Sequence, residues 1–173
     1  MSESIFAVLA LVGFFVVFFA VTIPLVYALN VHVIGPSYDR KAAELFTRVS
    51  ATERTLYEEQ DVAIVLTSRA FAAIGRRYQR ANIRITDRAL YVAQQSKFLG
   101  ARMGQPILGI GLAAIGLDPT IRHLVFAMYV AGQPQLVGRA IELPVTSPGQ
   151  KHTLVLEPKG DAIGVLEAVM YGR

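Results

Sequence analysis

The stretch Ile83–Val92, IRITDRALYV, decides the predicted fold, because its apolar residues recur at every second position on both sides of one polar turn. A period of two predicts strands that are buried on one face. Asp87 stands between the two runs and suits a tight turn. The stretch therefore predicts two antiparallel strands joined at Asp87, with these residues facing the core: Ile83, Ile85, Leu90 and Val92.

Short apolar runs elsewhere in the chain predict further strands of the same sheet. These runs are Val62–Leu66, Ile107–Leu112, Leu124–Val130, Leu136–Leu143 and Thr153–Leu156. Residues that break regular structure separate them, namely Asp118-Pro119, Gly132, Pro134 and Ser147-Pro148-Gly149. The spacing predicts the antiparallel strands of a meander. Between the first runs, Phe71, Ile74 and Tyr78 fit either a strand or a short helix.

The last part of the chain changes from strand spacing to helical spacing. Asp161 is placed to cap a helix that closes at Gly172. The apolar face of this helix would consist of Ile163, Val165, Leu166, Val169 and Met170. A series of strands followed by one amphipathic helix predicts an α+β fold, in which the helix covers an open end of the sheet.

The first part of the chain predicts a transmembrane anchor. Ile5–Leu29 contains 25 consecutive uncharged residues. A helix of that length reaches about 37 Å, whereas the hydrocarbon core of a bilayer is about 30 Å thick. A cleaved signal peptide is the alternative, but it needs a basic start and a shorter apolar run. We therefore predict an anchor over residues 1–33, a linker with an amphipathic helix over 34–50, and a soluble domain over 51–173.

The charges that flank the anchor predict its orientation. Arg40, Lys41 and Arg48 follow the span, whereas no Lys or Arg precedes it. Cytoplasmic flanks of membrane helices carry the excess of basic residues. The sequence therefore predicts a single-pass protein of the inner, cytoplasmic membrane, with the N-terminus outside and the C-terminal domain in the cytoplasm.

The linker predicts one short amphipathic helix. Asn30–Pro36 contains Gly and Pro, which indicates that the chain leaves the membrane there. Ser37 can then cap a helix that runs to about Val49. Its apolar residues recur at helical spacing at Ala42, Ala43, Leu45, Phe46 and Val49. This face would pack on the soluble domain, and contact with the membrane surface is the alternative.

The string NIRITDRALYV, with Thr86, Asp87 and Arg88 at its turn, resembles the strand–turn–strand signature of bacterial pleckstrin-homology-like and GRAM-like domains. The resemblance implies an antiparallel β-barrel or sheet over about residues 51–171, closed by a C-terminal helix. Such domains serve as lipid binders, peptide binders and interaction scaffolds. Pro106–Leu117 departs from the pattern because it is continuously apolar, and it predicts either a buried strand with a Gly-rich bend or a contact surface.

One segment of the chain is strongly basic. Residues 69–102 include eight basic residues and one acidic residue, Asp87, which gives a local net charge of +7. This predicted partner- or lipid-binding set consists of Arg69, Arg76, Arg77, Arg80, Arg84, Arg88, Lys97 and Arg102. It could bind an acidic partner protein, attract anionic lipid headgroups, or form a solvated face. Its richness in Arg favours a protein partner. No nucleic-acid motif accompanies it, so no nucleic-acid partner is predicted.

The sequence predicts neither an enzyme nor a cofactor or metal site. The chain has no Cys, and its histidines, His32, His123 and His152, are isolated from one another. Gly109, Gly111 and Gly116 precede no Lys-Ser or Lys-Thr pair of a phosphate loop. The adjacent carboxylates Glu58 and Glu59 would point to opposite faces of a strand, which does not suit shared acid–base chemistry.

These observations predict a non-catalytic accessory subunit that stabilises a larger membrane complex through its span and its domain. The host could be a respiratory complex, a photosynthetic reaction-centre or antenna complex, a transporter or secretion machinery. Its partners would then be other subunits of an integral membrane complex and the bilayer, including anionic lipids. The alternative is a membrane-tethered module that binds anionic lipid headgroups or a signalling partner through the basic segment.

Overall fold

The computed structural model describes residues 2–68, 76–95, 97–98, 101–102, 107–112 and 116–171. The helices are α1, Ser2–Leu29; α2, Gly35–Thr52; and α3, Ala162–Tyr171, with a π-helical turn at Asn30–Ile34 and a 3-10 turn at Arg122–Leu124. The strands are β1, Thr55–Ser68; β2, Arg76–Thr86; β3, Ala89–Gln94; β4, Lys97–Phe98; β5, Ala101–Arg102; β6, Leu108–Gly111; β7, Phe126–Val130; β8, Gln135–Val137; β9, Ala140–Ser147; and β10, Gln150–Glu157.

The contacts divide the chain into two compact units. One unit contains Met1–Tyr38 together with Lys97–Gly104. The other contains Asp39–Ser96 together with Gln105–Arg173. The first unit therefore holds α1 and the short β4–β5 hairpin, and the second holds most of α2 and the remaining strands.

α1 is the one helix among the described residues that is long and apolar enough to cross a membrane. It runs for 28 residues, so the helix predicted for the anchor is present. Its side chains from Phe6 to Leu29 are exposed, apart from the half-buried Thr22. An apolar surface of this length is stable only when lipid or other apolar helices surround it.

The predicted break after the anchor is absent from the structure, because the backbone stays helical from α1 into α2. The N–H of Gly35 donates to the carbonyl of Asn30, which is the wider spacing of a π-helical turn. Pro36 lacks an N–H and its ring needs space near the carbonyl of His32, and a widened turn provides that space. Helix α2 therefore begins at Gly35 rather than at Ser37, and it ends at Thr52.

Seven strands form a closed barrel. Their order is β10-β1-β2-β3-β6-β7-β9, and β9 pairs back with β10. The predicted turn at Asp87 is confirmed, since β2 and β3 pair in antiparallel register, for example Ile83 with Val92. β8 forms a hairpin with β9 outside the ring of seven, and β4 and β5 form a separate ladder.

The barrel interior is filled by alternate residues of each strand. β9 shows this most clearly, because Ile141, Leu143 and Val145 are fully buried while their neighbours are half-buried. Val165, Ala168 and Val169 of α3 join the same core, so the helix covers an open end of the barrel as predicted. Two residues of its predicted apolar face, Ile163 and Met170, are exposed instead.

Two predictions about the strands are wrong. β6 and β7 pair in parallel rather than antiparallel, with Leu108 opposite Phe126, because the chain between them crosses back before β7 begins. Leu136–Leu143 is two strands rather than one, because Gly138, at a φ of 65°, turns the chain between β8 and β9. The described part of Pro106–Leu117 is buried, which favours the buried strand over the contact surface.

Helix α2 packs on the barrel from Asp39 onward. Leu45 and Val49 are fully buried although they lie outside the cluster that fills the barrel interior. Arg48 donates from Nη1 to the carbonyl of Thr120 at 3.4 Å, which ties the helix to the crossover between β6 and β7. The predicted amphipathic face of the linker therefore packs on the soluble domain through Leu45 and Val49, whereas Ala43 of that face is exposed.

Candidate functional site

The Thr-Asp-Arg turn that carries the family resemblance is part of a buried hydrogen-bond network. Glu53, 6% exposed, follows α2, and its carboxylate accepts from the hydroxyl of Thr86 at 2.6 Å and from that of Tyr91 at 2.9 Å. The hydroxyl oxygen of Thr86 in turn accepts the N–H groups of Arg88 and Ala89. Burial, followed by the Glu53 charge, raises the pKa of Tyr91. The motif therefore joins the end of α2 to the β2–β3 turn.

Arg84 holds α2 against the barrel. Its side chain is only 13% exposed. The guanidinium donates to Glu58 at 2.8 and 3.2 Å, to the hydroxyl of Ser50 at 2.6 Å and to the carbonyl of Phe46 at 3.0 Å. It also lies 4.8 Å from the centre of the Phe46 ring. Four hydrogen bonds and a ring contact leave little of this cation for another molecule.

The structure describes the side chains of three residues of the predicted basic set, Arg80, Arg84 and Arg88, and each of them has different neighbours. Arg80 contacts Asp61 through its side chain, whereas Arg88 belongs to the β2–β3 turn. Hydrogen bonds from Thr120, with a smaller contribution from the Arg88 charge, lower the pKa of Asp118. The backbone alone is described for a further four residues of the set, Arg76, Arg77, Lys97 and Arg102. Arg69 lies outside the described residues. The role of the set as a whole stays a prediction.

A groove of about 690 Å³ lies on the outer face of the barrel. The outward direction follows from alternation, since Ala63 and Arg80 line the groove while the next residues along their strands, Ile64 and Ala81, are in the core. The floor combines small or apolar side chains with three cations and one carboxylate. Its lining residues are Ala63, Arg80, Val137, Arg139, Ala140, Glu157, Pro158 and Lys159.

A bulge in β1 organises one side of the groove. The register with β2 shifts on both sides of Val62, and Asp61 takes a φ of 62°, which is unusual for a residue other than Gly. Its carboxylate contacts both Arg80 and Lys159, and its carbonyl accepts from Arg80 at 3.1 Å. The Lys159 hydrogen bond, with help from the Arg80 charge, lowers the pKa of Asp61. One strained residue therefore places two cations.

The loop before α3 is fixed by Glu59, which positions Lys159. The Glu59 carboxylate accepts the N–H of Lys159 at 2.8 Å and that of Gly160 at 3.3 Å. Tyr57 donates its hydroxyl to the same carboxylate at 2.9 Å, and burial together with Glu59 raises the pKa of Tyr57 to about 12. Glu58 and Glu59 thus serve different partners, Arg84 and this loop, and do not form a shared acid–base pair.

Sequence reasoning missed most of the groove. Arg139 follows the Gly138 turn and Lys159 follows β10, so both lie far along the chain from the basic segment that contains Arg80. Pairing of β1 with β2, of β1 with β10 and of β9 with β10 brings these three distant positions to one face. No local motif marks Arg139 or Lys159.

The glycines of β6 have a packing role. A Cβ added at Gly109 would lie 2.7 Å from Cγ2 of Val125 and 3.2 Å from Cδ2 of Leu117, which is too close for van der Waals contact. A Cβ at Gly111 would meet the backbone of Gly116 at 3.2 Å. Because Gly109 and Gly111 have no side chains, the crossover between β6 and β7 can lie directly on β6.

No group of three or more potential metal-ligating residues occurs in the part of the chain that the structure describes. His152 shares a hydrogen bond of 3.0 Å with the hydroxyl of Ser147. Comparison of the chain with family models found no match, and comparison with curated proteins found none either.

Proposed function

We propose that this chain is a single-span, non-catalytic accessory subunit whose barrel binds a partner subunit of a larger membrane complex. The groove that combines Arg80, Arg139 and Lys159 with an apolar floor carries the proposal. Such mixed lining suits a ligand that brings both carboxylates and apolar groups. The exposed apolar surface of α1 supports a membrane location.

The chemistry of the groove favours an acidic protein segment. Asp61 already contacts Arg80 and Lys159, so these two cations are held in place before a ligand arrives. Arg139 shows no ion pair with the residues that the structure describes, and its planar guanidinium is suited to bidentate contact with a carboxylate. Small side chains at Ala63 and Ala140 leave room for an extended backbone over the strands.

We also propose that the domain is related to the pleckstrin-homology-like folds that its turn motif resembles. A seven-stranded barrel with one helix at an open end supports this relationship. The parallel pairing of β6 with β7 differs from the antiparallel arrangement that the resemblance implies. Binding of a peptide on the barrel surface agrees with the uses of such domains.

The experiment is co-purification of the full chain from its native membrane in a mild detergent. We expect a partner in fixed stoichiometry with the parent chain and its loss from the Arg139→Glu variant. An exposed ion pair contributes up to about 1 kcal/mol, and reversal of the charge adds repulsion, so binding should weaken about tenfold. Arg122→Glu is the matched control, because Arg122 is an exposed cation away from the groove.

Different results would contradict the accessory role and the use of the groove. A parent chain that purifies without any stoichiometric partner would contradict the accessory role. A partner that stays bound equally well to the Arg139→Glu and parent chains would contradict the use of the groove. Equal loss from Arg139→Glu and Arg122→Glu would also contradict it, since the effect would then follow net charge alone.

A further inference from the structure

The short hairpin of β4 and β5 lies beside the end of the apolar helix. Lys97 pairs with Arg102, and Phe98 pairs with Ala101. Within the same compact unit, β5 contacts the π-helical turn Asn30–Ile34 that directly follows α1. This basic hairpin, although distant from α1 in the sequence, therefore lies beside the end of α1.

The length of α1 sets the depth of this hairpin in the membrane. A helix crosses about 30 Å of hydrocarbon in about 20 residues, which from Ile5 reaches about Leu25. The headgroup layer adds about 5 to 7 Å, or four to five further residues. Asn30–Ile34 therefore begins at the outer edge of the headgroup layer, and the hairpin that contacts this turn is at the membrane surface.

We infer that the β4–β5 hairpin is a binding site for anionic phospholipid headgroups of the leaflet in which α1 ends. Lys97 and Arg102 pair directly with each other in one ladder, so the backbone brings two basic residues to the same level. No acidic residue occurs between residues 97 and 104 to offset them. Phosphate groups are the anions available at this depth, and each near-surface cation increases the association constant about fivefold.

The chain offers a direct spectroscopic test because it contains no Trp. In the full chain with Phe98→Trp, reconstituted in lipid nanodiscs, the fluorescence of that single Trp reports on lipids beside the hairpin. We expect spin-labelled phosphatidylglycerol to quench it more strongly than spin-labelled phosphatidylcholine. The preference should decrease as salt is raised, and Lys97→Gln with Arg102→Gln should reduce it about fivefold per cation.

The matched control combines Phe98→Trp with Arg122→Gln and Lys151→Gln, which removes the same charge from exposed residues of the barrel unit. It should keep the parent's preference for phosphatidylglycerol. Equal quenching by the two lipids in the parent would overturn the inference. An unchanged preference after Lys97→Gln with Arg102→Gln, or an equal decrease in the control, would overturn it as well.

Discussion

At the scale of single residues, the buried carboxylate of Glu53 gives the Thr-Asp-Arg turn motif a structural role. Thr86 and Tyr91 both donate hydroxyl groups to it, and Arg54 and Asp87 add backbone contacts beside it. Asp87 therefore has two uses, since it makes the turn and accepts the N–H of Arg54 at 3.2 Å. The network makes the end of α2 and the β2–β3 turn one structure.

Replacing Glu53 by Ala should destabilise the domain by about 2 to 3 kcal/mol. The substitution leaves two buried hydroxyl groups without their charged acceptor, and hydrogen bonds to charged groups are the stronger ones. Urea unfolding of the full chain in detergent micelles, followed by circular dichroism, measures the change. Glu44→Ala is the control, because Glu44 pairs with Arg48 at the surface and should contribute about 0.5 kcal/mol. Similar losses for the two variants would contradict the network.

At the scale of elements, Arg84 connects α2 to two strands through one side chain. Arg84→Gln should destabilise the domain by about 2 kcal/mol, because it breaks a largely buried, multiply bonded cation. Amide hydrogen exchange in residues 43–52 should become faster. Arg80→Gln provides the comparison, since Arg80 is 50% exposed and its surface pair contributes about 1 kcal/mol or less. Slow exchange of α2 in Arg84→Gln would show that the helix is held by its apolar face alone.

The crossover on β6 gives a second prediction at this scale. Gly109→Ala should destabilise the domain by about 1 to 3 kcal/mol, because the new methyl group overlaps Val125. Adding Val125→Ala should recover part of that loss, although Val125→Ala alone removes packing. A double-mutant cycle by urea unfolding measures the coupling. Gly160→Ala is the control, since its nearest contact is 3.8 Å away, and simple additivity at Gly109 and Val125 would contradict the steric account.

The contrast between the confirmed turn and the missed groove shows what the sequence could predict. Ile83–Val92 and the Asp161 cap were found because alternation and capping are local properties. The direction of the β6–β7 pairing was missed because periodicity carries no information about which strand lies beside which. The groove was missed for the same reason, since Arg80, Arg139 and Lys159 meet only through pairing of strands distant in the chain.

At the scale of the whole molecule, the flanking charges of the anchor give a prediction about topology. The barrel should lie on the cytoplasmic side, because Arg40, Lys41 and Arg48 follow α1. Protease added outside sealed, right-side-out vesicles should spare residues beyond about 40, and the same protease should digest them in inverted vesicles. Digestion in the right-side-out vesicles alone would place the barrel on the opposite side.

Closure of the barrel by β1 and β10 also dictates the order of events during synthesis. Ala63 of the first barrel strand pairs with Glu157 near the end of the last one. Helix α1 leaves the ribosome long before β10, so the barrel completes its ring only after the whole apolar helix has been synthesised. Until then β1 presents an open hydrogen-bonding edge, which invites pairing with neighbouring nascent chains. Chains that stop before Gln150 would keep that edge and should aggregate.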